Sequence, residues 1–406
     1  MNDNYIIDNI TQLVTCSGFS AKHGKEMSDL GIIENASVVI TAGIITYVGP
    51  VTDHLPLDRE KNYETIDATG KAVLPGFIDS HTHFVFGGYR EEEFSQRLRG
   101  DDYLSILQSG GGIYNTVKAT RKASLEELYA MARSRLDKMQ AMGVTTVEGK
   151  SGYGLDKETE LKQLRVMKRL QHEHRMNIVP TYLGAHAVPE GYTEKSYIDF
   201  LIQEMLPVIR EENLAECCDI FCEKGVFSVN ESERFLSEAQ KMQFNLKLHA
   251  DEMVDTGGAE LAVALGALSA DHLLHVSDKG IKALAKSNTT ATLLPCTAFS
   301  LKEDYARGRT MIDTGCSVAL ATDFNPGSCF SYSIPLTIAL ACIYMKMSPE
   351  ETVTALTINA AAALGKAEFL GSIDVGKKGD IIILEYPSYK FLPYHAGINI
   401  VEKIIH

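Results

Sequence analysis

The sequence predicts an α/β protein: a closed (β/α)8 TIM-like barrel with a small composite β-sandwich domain built from both chain ends. Three observations lead there. Apolar stretches of strand length recur from residue 72 to residue 323, and amphipathic helical stretches separate most of them, as a parallel sheet with crossover helices requires. Histidines and an aspartate fall at the carboxyl ends of those strands, where a barrel of this class carries its chemistry. Both ends of the chain read instead as short strands without helices.

Residues 5 to 75 hold β-branched runs such as Ala36-Ser37-Val38-Val39-Ile40 and Gly43-Ile44-Ile45-Thr46-Tyr47-Val48, punctuated by Gly, Pro and Asp. Residues 1–75 are therefore expected to form the first part of the sandwich. The barrel is expected over 76–365, with strands in Ala72 to His83, Val144 to Glu148, Asn177 to His186, Asp219 to Glu223, Asn245 to His249, Leu268 to His272, Thr290 to Cys296 and Ser317 to Asp323. The helical pattern covers Ser124 to Met142, Asp156 to His174, Tyr197 to Asn213, Ser232 to Lys241 and Ser348 to Leu364. Asp380-Ile381-Ile382-Ile383-Leu384 then returns to strand chemistry, so residues 366–406 are expected to complete the sandwich.

The chain has 406 residues, with 53 acidic against 39 basic side chains and a formal net charge of -14. That balance argues against nucleic acid or an anionic membrane as the main partner, and any anionic substrate would need a local cation of its own. No apolar run reaches the ~18 residues of a bilayer span. Met1-Asn2-Asp3-Asn4-Tyr5 lacks the pattern of a signal peptide, and a cytoplasmic location is expected. The eight cysteines are scattered. Cys217, Cys218 and Cys222 cluster without two paired Cys-x-x-Cys knuckles and read as reduced core residues rather than a zinc site. A homodimer is the default expectation for such a chain.

The chemistry begins at Leu74-Pro75-Gly76-Phe77-Ile78-Asp79-Ser80-His81-Thr82-His83. Side chains alternate along a strand, so His81 and His83 point the same way and form a ligand pair. Further strand ends supply His186, His249 and Asp323, with His272 on the sixth strand. Neutral imidazoles with one carboxylate suit Zn(II) or Fe(II), and a water bound there ionises near pH 7. His81, His83, His249 and Asp323 are assigned as ligands, and Asp323 is also a candidate base. On residues alone, Arg90 reads equally as a surface partner of Glu91-Glu92-Glu93, Tyr153 as core packing, and Glu252 as a helix-start carboxylate. Gly110-Gly111-Gly112 lacks the Gly-Lys-Ser/Thr of a phosphate loop and reads as a turn.

Pro75-Gly76-Phe77-Ile78-Asp79-Ser80-His81-Thr82-His83, His249, His272 after Asp271, and Thr322-Asp323 resemble the amidohydrolase superfamily, whose members hydrolyse C–N and related bonds with one or two metals. Glu148 to Leu155, Leu183 to Pro189, His249-Ala250-Asp251-Glu252 and Thr322 to Ser328 further resemble the imidazolonepropionase family of histidine breakdown. That resemblance implies opening of the 4-imidazolone-5-propanoate ring to N-formimino-L-glutamate with one divalent metal. It also implies that Arg90 holds the propionate and that Tyr153 and His186 contact the ring. Glu252 would bond the ring nitrogen and move protons, His272 would polarise the carbonyl, and Asn325, Gly327 and Ser328 would line the far side. In related enzymes a carbamylated lysine on the fourth strand bridges two metals, which draws attention to Lys224, Glu223 and Lys150. The competing enzyme reading is hydrolysis or deamination of another heterocycle such as guanine or a hydantoin, for which a carboxylate clamp at Arg90 has no use. The competing reading outside catalysis is an inactive barrel serving as a scaffold, which would be expected to have lost some of these groups.

Overall fold

The computed structural model describes residues 3–52, 55–58, 60–100 and 111–406. The chain opens on β1 (Tyr5–Val14), β2 (Ile32–Thr41), β3 (Ile44–Pro50), β4 (Glu64–Asp67) and β5 (Ala72–Pro75). It then runs through β6 (Phe77–Asp79), β7 (Val144–Lys150), β8 (Asn177–Ala185), β9 (Cys217–Cys222), β10 (Asn245–Ala250), β11 (Ser269–His272), β12 (Thr290–Leu293) and β13 (Val318–Leu320), and closes on β14 (Ile381–Leu384) and β15 (Val401–Ile405).

Strands β6 to β13 form one parallel sheet in sequence order, with helices between most neighbours. Its two edges meet where the first and eighth strands end. Thr82 bridges Phe324 in parallel, His83 N–H donates to Phe324 O at 2.8 Å, and Asp323 N–H donates to His81 O at 3.0 Å. Below that seam the Asp79 carboxylate accepts from Thr322 N–H at 3.0 Å and from the Thr322 hydroxyl at 2.6 Å. Burial pushes the Asp79 carboxyl up to about 7 against those donors. The expected (β/α)8 barrel is present, and its closing seam places His81, His83 and Asp323 side by side.

Strands β1 to β5, β14 and β15 share a second sheet, with β14 antiparallel to β5 so that Ile382 faces Leu74. The C-terminal strands thus join the N-terminal ones, as expected. Period-two alternation decides what each face buries. Ile381 and Ile383 pack with Ile7, Ile10, Val73 and Ile405, whereas Ile382, Leu384 and Leu74 turn into the main core shared with the barrel. Both faces are therefore apolar.

Three expected elements are divided. The run from Ala72 to His83 serves both sheets, changing over at Gly76, where a Cβ would lie 2.3 Å from the Thr145 side chain. His81 and His83 consequently follow β6 rather than lie within it. The expected helix at Tyr197 to Asn213 becomes Glu194–Phe200, a π-helical turn Leu201–Met205, and Leu206–Glu211, because Pro207 has no N–H to continue the ladder. The expected helix at Ser348 to Leu364 breaks into Pro349–Ala355 and Ile358–Ala363 at Thr357, whose ψ of -100° is not helical. Among the described residues no helix is long and apolar enough to cross a membrane.

Candidate active site

Five imidazoles converge at the carboxyl end of the barrel. Ring centroids lie 5.5 Å apart for His81 and His83, 4.5 Å for His81 and His249, and 5.1 Å for His249 and His272. His186 stacks on His83 at 5.1 Å. Burial, reinforced by the neighbouring cationic groups, holds the His81, His83 and His272 rings well below the usual histidine range, and brings His186 to about 3. Neutral imidazoles are the form that binds a metal. His81 Nε2, His83 Nδ1 and His272 Nδ1 are buried without a hydrogen-bond partner, which costs roughly 1–3 kcal/mol per group. Ligand atoms of His81, His83 and His249 lie within 4.8 Å of one another, as do those of His81, His272 and Asp323. A divalent cation would satisfy His81 Nε2, and the donor set of imidazoles and a carboxylate fits one.

The imidazoles stand on a layer of buried charge. His81 Nδ1 donates to Asp271 Oδ2 at 2.6 Å, and His249 Nδ1 lies 3.0 Å from Asp219 Oδ2. These contacts fix the rings so that Nε2 of each faces the site. Between the two aspartates sits Lys150, whose Nζ bonds Asp219 at 2.5 Å and reaches Glu148 at 3.1 Å and Asp271 at 3.5 Å. Lys247 reaches Glu148 at 3.3 Å and donates to Ser80 O at 3.1 Å. All five of these ionic side chains are fully buried. Burial disfavours the Lys150 cation, yet Asp219, Glu148 and Asp271 outweigh it and raise its pKa; burial likewise opposes the Asp219 anion, yet His249 and Lys150 lower its pKa.

Sequence reasoning connected Lys150 only with metal bridging and missed Asp219, Glu148 and Lys247 altogether. The missed signal is the same alternation that paired the histidines: Glu148 with Lys150, Lys247 with His249, and Ser269 with Asp271 are all i, i+2 pairs. Lys224 is exposed, and Glu223 spends both oxygens on Lys224 N–H and Met253 N–H at 2.8 Å each.

Asp323 has a φ of 51° and His272 a φ of 78°, left-handed conformations that cost a non-glycine residue about 1–3 kcal/mol and gather at functional sites. The Thr297 hydroxyl donates to Asp323 Oδ2 at 2.7 Å, leaving Oδ1 at 3.5 Å from His81 Nε2 and 3.7 Å from His83 Nε2. Burial raises the Asp323 carboxyl to about 6, opposed by Thr297. Glu252 Oε2 lies 3.5 Å from His272 Nε2, and burial together with the Asp323 and Glu223 charges brings its carboxyl to about 8.

The Tyr153 ring lies 5.7 Å from His83 and 5.2 Å from His186. Its loop wraps the Glu160 carboxylate, which accepts from the N–H groups of Gly152, Gly154 and Leu155. Burial raises the Tyr153 phenol, Asp323 adds to that, and Arg90 opposes it. Arg90 does pair with Glu93, through Nε at 2.8 Å and Nη2 at 2.7 Å, but Nη1 remains against Gly327. Asn325 Oδ1 accepts from Gly327 N–H and Ser328 N–H at 2.8 Å each, and its Nδ2 donates to Ser328 Oγ at 2.8 Å. Asn325 therefore shapes the turn that presents Gly327 and Ser328. Of the glycine run, Gly110 lies outside the described residues; Gly112 caps the helix Ile113–Lys122 with a φ of 86°.

Comparison with known proteins follows the same line. Two different amidohydrolase family profiles match, one over residues 221–404 and the other over residues 64–106. An imidazolonepropionase from Clostridium tetani is 61% identical over 99% of this chain and 96% of its own. Those of Parabacteroides distasonis and Bacteroides thetaiotaomicron are 60% and 62% identical over 100% of this chain and 98% of theirs. Among solved structures, a zinc-bound adenosine deaminase from Xanthomonas campestris superposes with a TM-score of 0.71 at 17% identity, covering 99% of this chain and 91% of that one. An atrazine chlorohydrolase mutant from Arthrobacter aurescens, complexed with zinc and atraton, gives 0.74 at 18% identity over 98% and 93%. At such identities the likeness speaks for the fold alone.

Proposed function

The chain belongs to the imidazolonepropionase family of amidohydrolases, and from that premise we propose how its residues open the ring of 4-imidazolone-5-propanoate to N-formimino-L-glutamate. One observation supports this assignment of roles: buried imidazole nitrogens without hydrogen-bond partners lie beside Tyr153, and the turn after Asp323 sets Gly327 against Arg90 Nη1. A substrate with a hydrolysable ring at one end and a carboxylate at the other fits such a pair.

His81, His83, His249 and Asp323 would hold one divalent ion, Zn(II) or Fe(II). When bound, that ion supplies an acidified water and polarisation of the ring carbonyl. Arg90 Nη1 binds the propionate, and a guanidinium fork suits a carboxylate better than an ammonium would. Tyr153 and His186 pack against the ring and exclude water, while Ser328 and Gly327 close the far side. His272 hydrogen-bonds the ring carbonyl. Asp323 takes the proton from the attacking water, and the Thr297 hydroxyl on Oδ2 orients the carboxylate. With its carboxyl near 8, Glu252 is protonated at neutral pH and delivers that proton to the ring nitrogen as the C–N bond breaks.

The test is hydrolysis of 4-imidazolone-5-propanoate by the metal-loaded protein, followed by loss of the ring's ultraviolet absorbance together with metal analysis. Turnover with one equivalent of metal is expected. No turnover would overturn the substrate, and a requirement for two equivalents would overturn the single-ion reading.

A further inference from the structure

We propose that Glu93 and Arg97 join Arg90 in a three-residue unit that selects a carboxylate-bearing substrate, Glu93 as the positioning residue for Arg90 and Arg97 as the source of its net positive charge. The inference rests on the reading of Arg90 as the propionate clamp and deepens it. The spacing is helical: Arg90 caps the helix Glu91–Arg99, and positions 90, 93 and 97 are i, i+3 and i+7, one face of that helix.

Glu93 is 7% exposed despite its charge. Its Oε2 takes the Nε and Nη2 edge of Arg90, so that guanidinium is held along one side and its far end, at Nη1 and the second Nη2 hydrogen, is left to a ligand. Two groups fix Glu93 in turn: Asn115 Nδ2 donates to Oε1 at 3.1 Å and Gly112 N–H donates to Oε2 at 3.1 Å. Burial works against the Glu93 anion, but the Arg90 and Asn115 donors prevail and keep its carboxyl below the usual range.

Arg97 meets the same spot from the other side. Its Nη2 donates to Gly327 O at 2.8 Å, while a Cβ on Gly327 would lie 2.2 Å from Arg90 Nη1. Both guanidiniums therefore converge on Gly327, which must be glycine for Arg90 to sit where it does. Charge then decides the role of Arg97. Arg90 and Glu93 alone sum to no net charge, so beyond the contact at Arg90 they exert little long-range pull on an approaching carboxylate. Adding Arg97 makes the unit +1, complementary to one carboxylate, in a chain whose overall charge is -14.

The experiment compares steady-state kinetics on 4-imidazolone-5-propanoate and on the same ring carrying methyl in place of the propanoate. Glu93→Gln is expected to raise KM for the carboxylate substrate about tenfold, the loss of one charge-assisted hydrogen-bond pair, with kcat changed less than about threefold. Arg97→Met is expected to do the same and to weaken the dependence of KM on ionic strength. Asn115→Ala, at an exposed position, is expected to raise KM about two- to threefold, and it carries the test should the buried variants fail to fold. None of the three should lower kcat/KM for the methyl analogue appreciably. Arg90→Ala separates the two levels of the argument. If it raises KM while Glu93→Gln, Arg97→Met and Asn115→Ala do not, the three-residue unit is wrong and the clamp stands. If Arg90→Ala leaves KM unchanged, the clamp reading itself fails.

Discussion

The imidazole cluster and the Arg90 clamp serve one site but draw their order from different parts of the chain. The imidazoles and Asp323 come from strand ends far apart in sequence, from His81 to Asp323, brought together only by closure of the barrel. They rest on fully buried carboxylates and lysines that no water can replace. The clamp comes from one face of a single helix, a four-residue turn and the start of the helix Ile113–Lys122, and its side chains are less completely buried. Errors in the first region are transmitted to the whole barrel, whereas errors in the second stay local. Changes at the imidazole end should thus alter metal binding, kcat and stability together, and changes at the clamp should alter KM.

The largest expected effect tests that division directly. His81→Ala removes the imidazole nitrogen nearest Asp323 and takes one partner from the Asp271 carboxylate. Activity is expected to fall by at least about 10³-fold, the loss of several kcal/mol of transition-state stabilisation, with metal content falling in parallel by elemental analysis. A variant that kept its metal and most of its kcat would remove His81 from the ligand set. Lys150→Met comes next. It touches neither substrate nor metal, but it leaves Asp219, Glu148 and Asp271 without their shared cation. Chelator competition is expected to show metal affinity weakened about 10–100-fold, and denaturant unfolding a loss of about 3–5 kcal/mol. Unchanged metal affinity would mean that the buried layer supports the fold alone and that the two regions are less different than their construction implies.

The contrast also governs what could be read from the sequence. The barrel and the candidate ligands were legible because they follow short periods: alternation along strands, 3.6-residue helices between them, and polar residues at strand ends. Arg90, Tyr153 and Glu252 were ambiguous as residues, since each has an ordinary structural use, and their roles came from longer family strings. The same alternation rule would have exposed the buried charges, but Lys150 and Lys247 lie in strands that otherwise look like solvated or family-marked segments. Only the closed barrel shows that their ammonium groups are sealed among three carboxylates. Glu93 was hidden for another reason. In Glu91-Glu92-Glu93 the three acids are alike in sequence, and the helix's orientation alone decides that the third is buried against Arg90 while the others face solvent.

The smallest effect concerns pH, and it assigns titration to the imidazole end only. Glu252 has its carboxyl raised to about 8, chiefly by burial and then by Asp323 and Glu223. The form proposed to act is protonated, present below that value and lost as pH rises through it. Asp323, raised to about 6, must be ionised to accept a proton, so its contribution is lost as pH falls through that value, and a dication beside it can only move this limb lower. The profile of kcat/KM is therefore expected to rise below about 6, level off, and fall about tenfold per unit above about 8, the limbs belonging to a coupled set rather than to single groups. Glu252→Gln should abolish the alkaline limb while lowering kcat. An alkaline limb that persisted in Glu252→Gln would transfer the proton donor to another group at the imidazole end, with His272, 3.5 Å away, the first to examine.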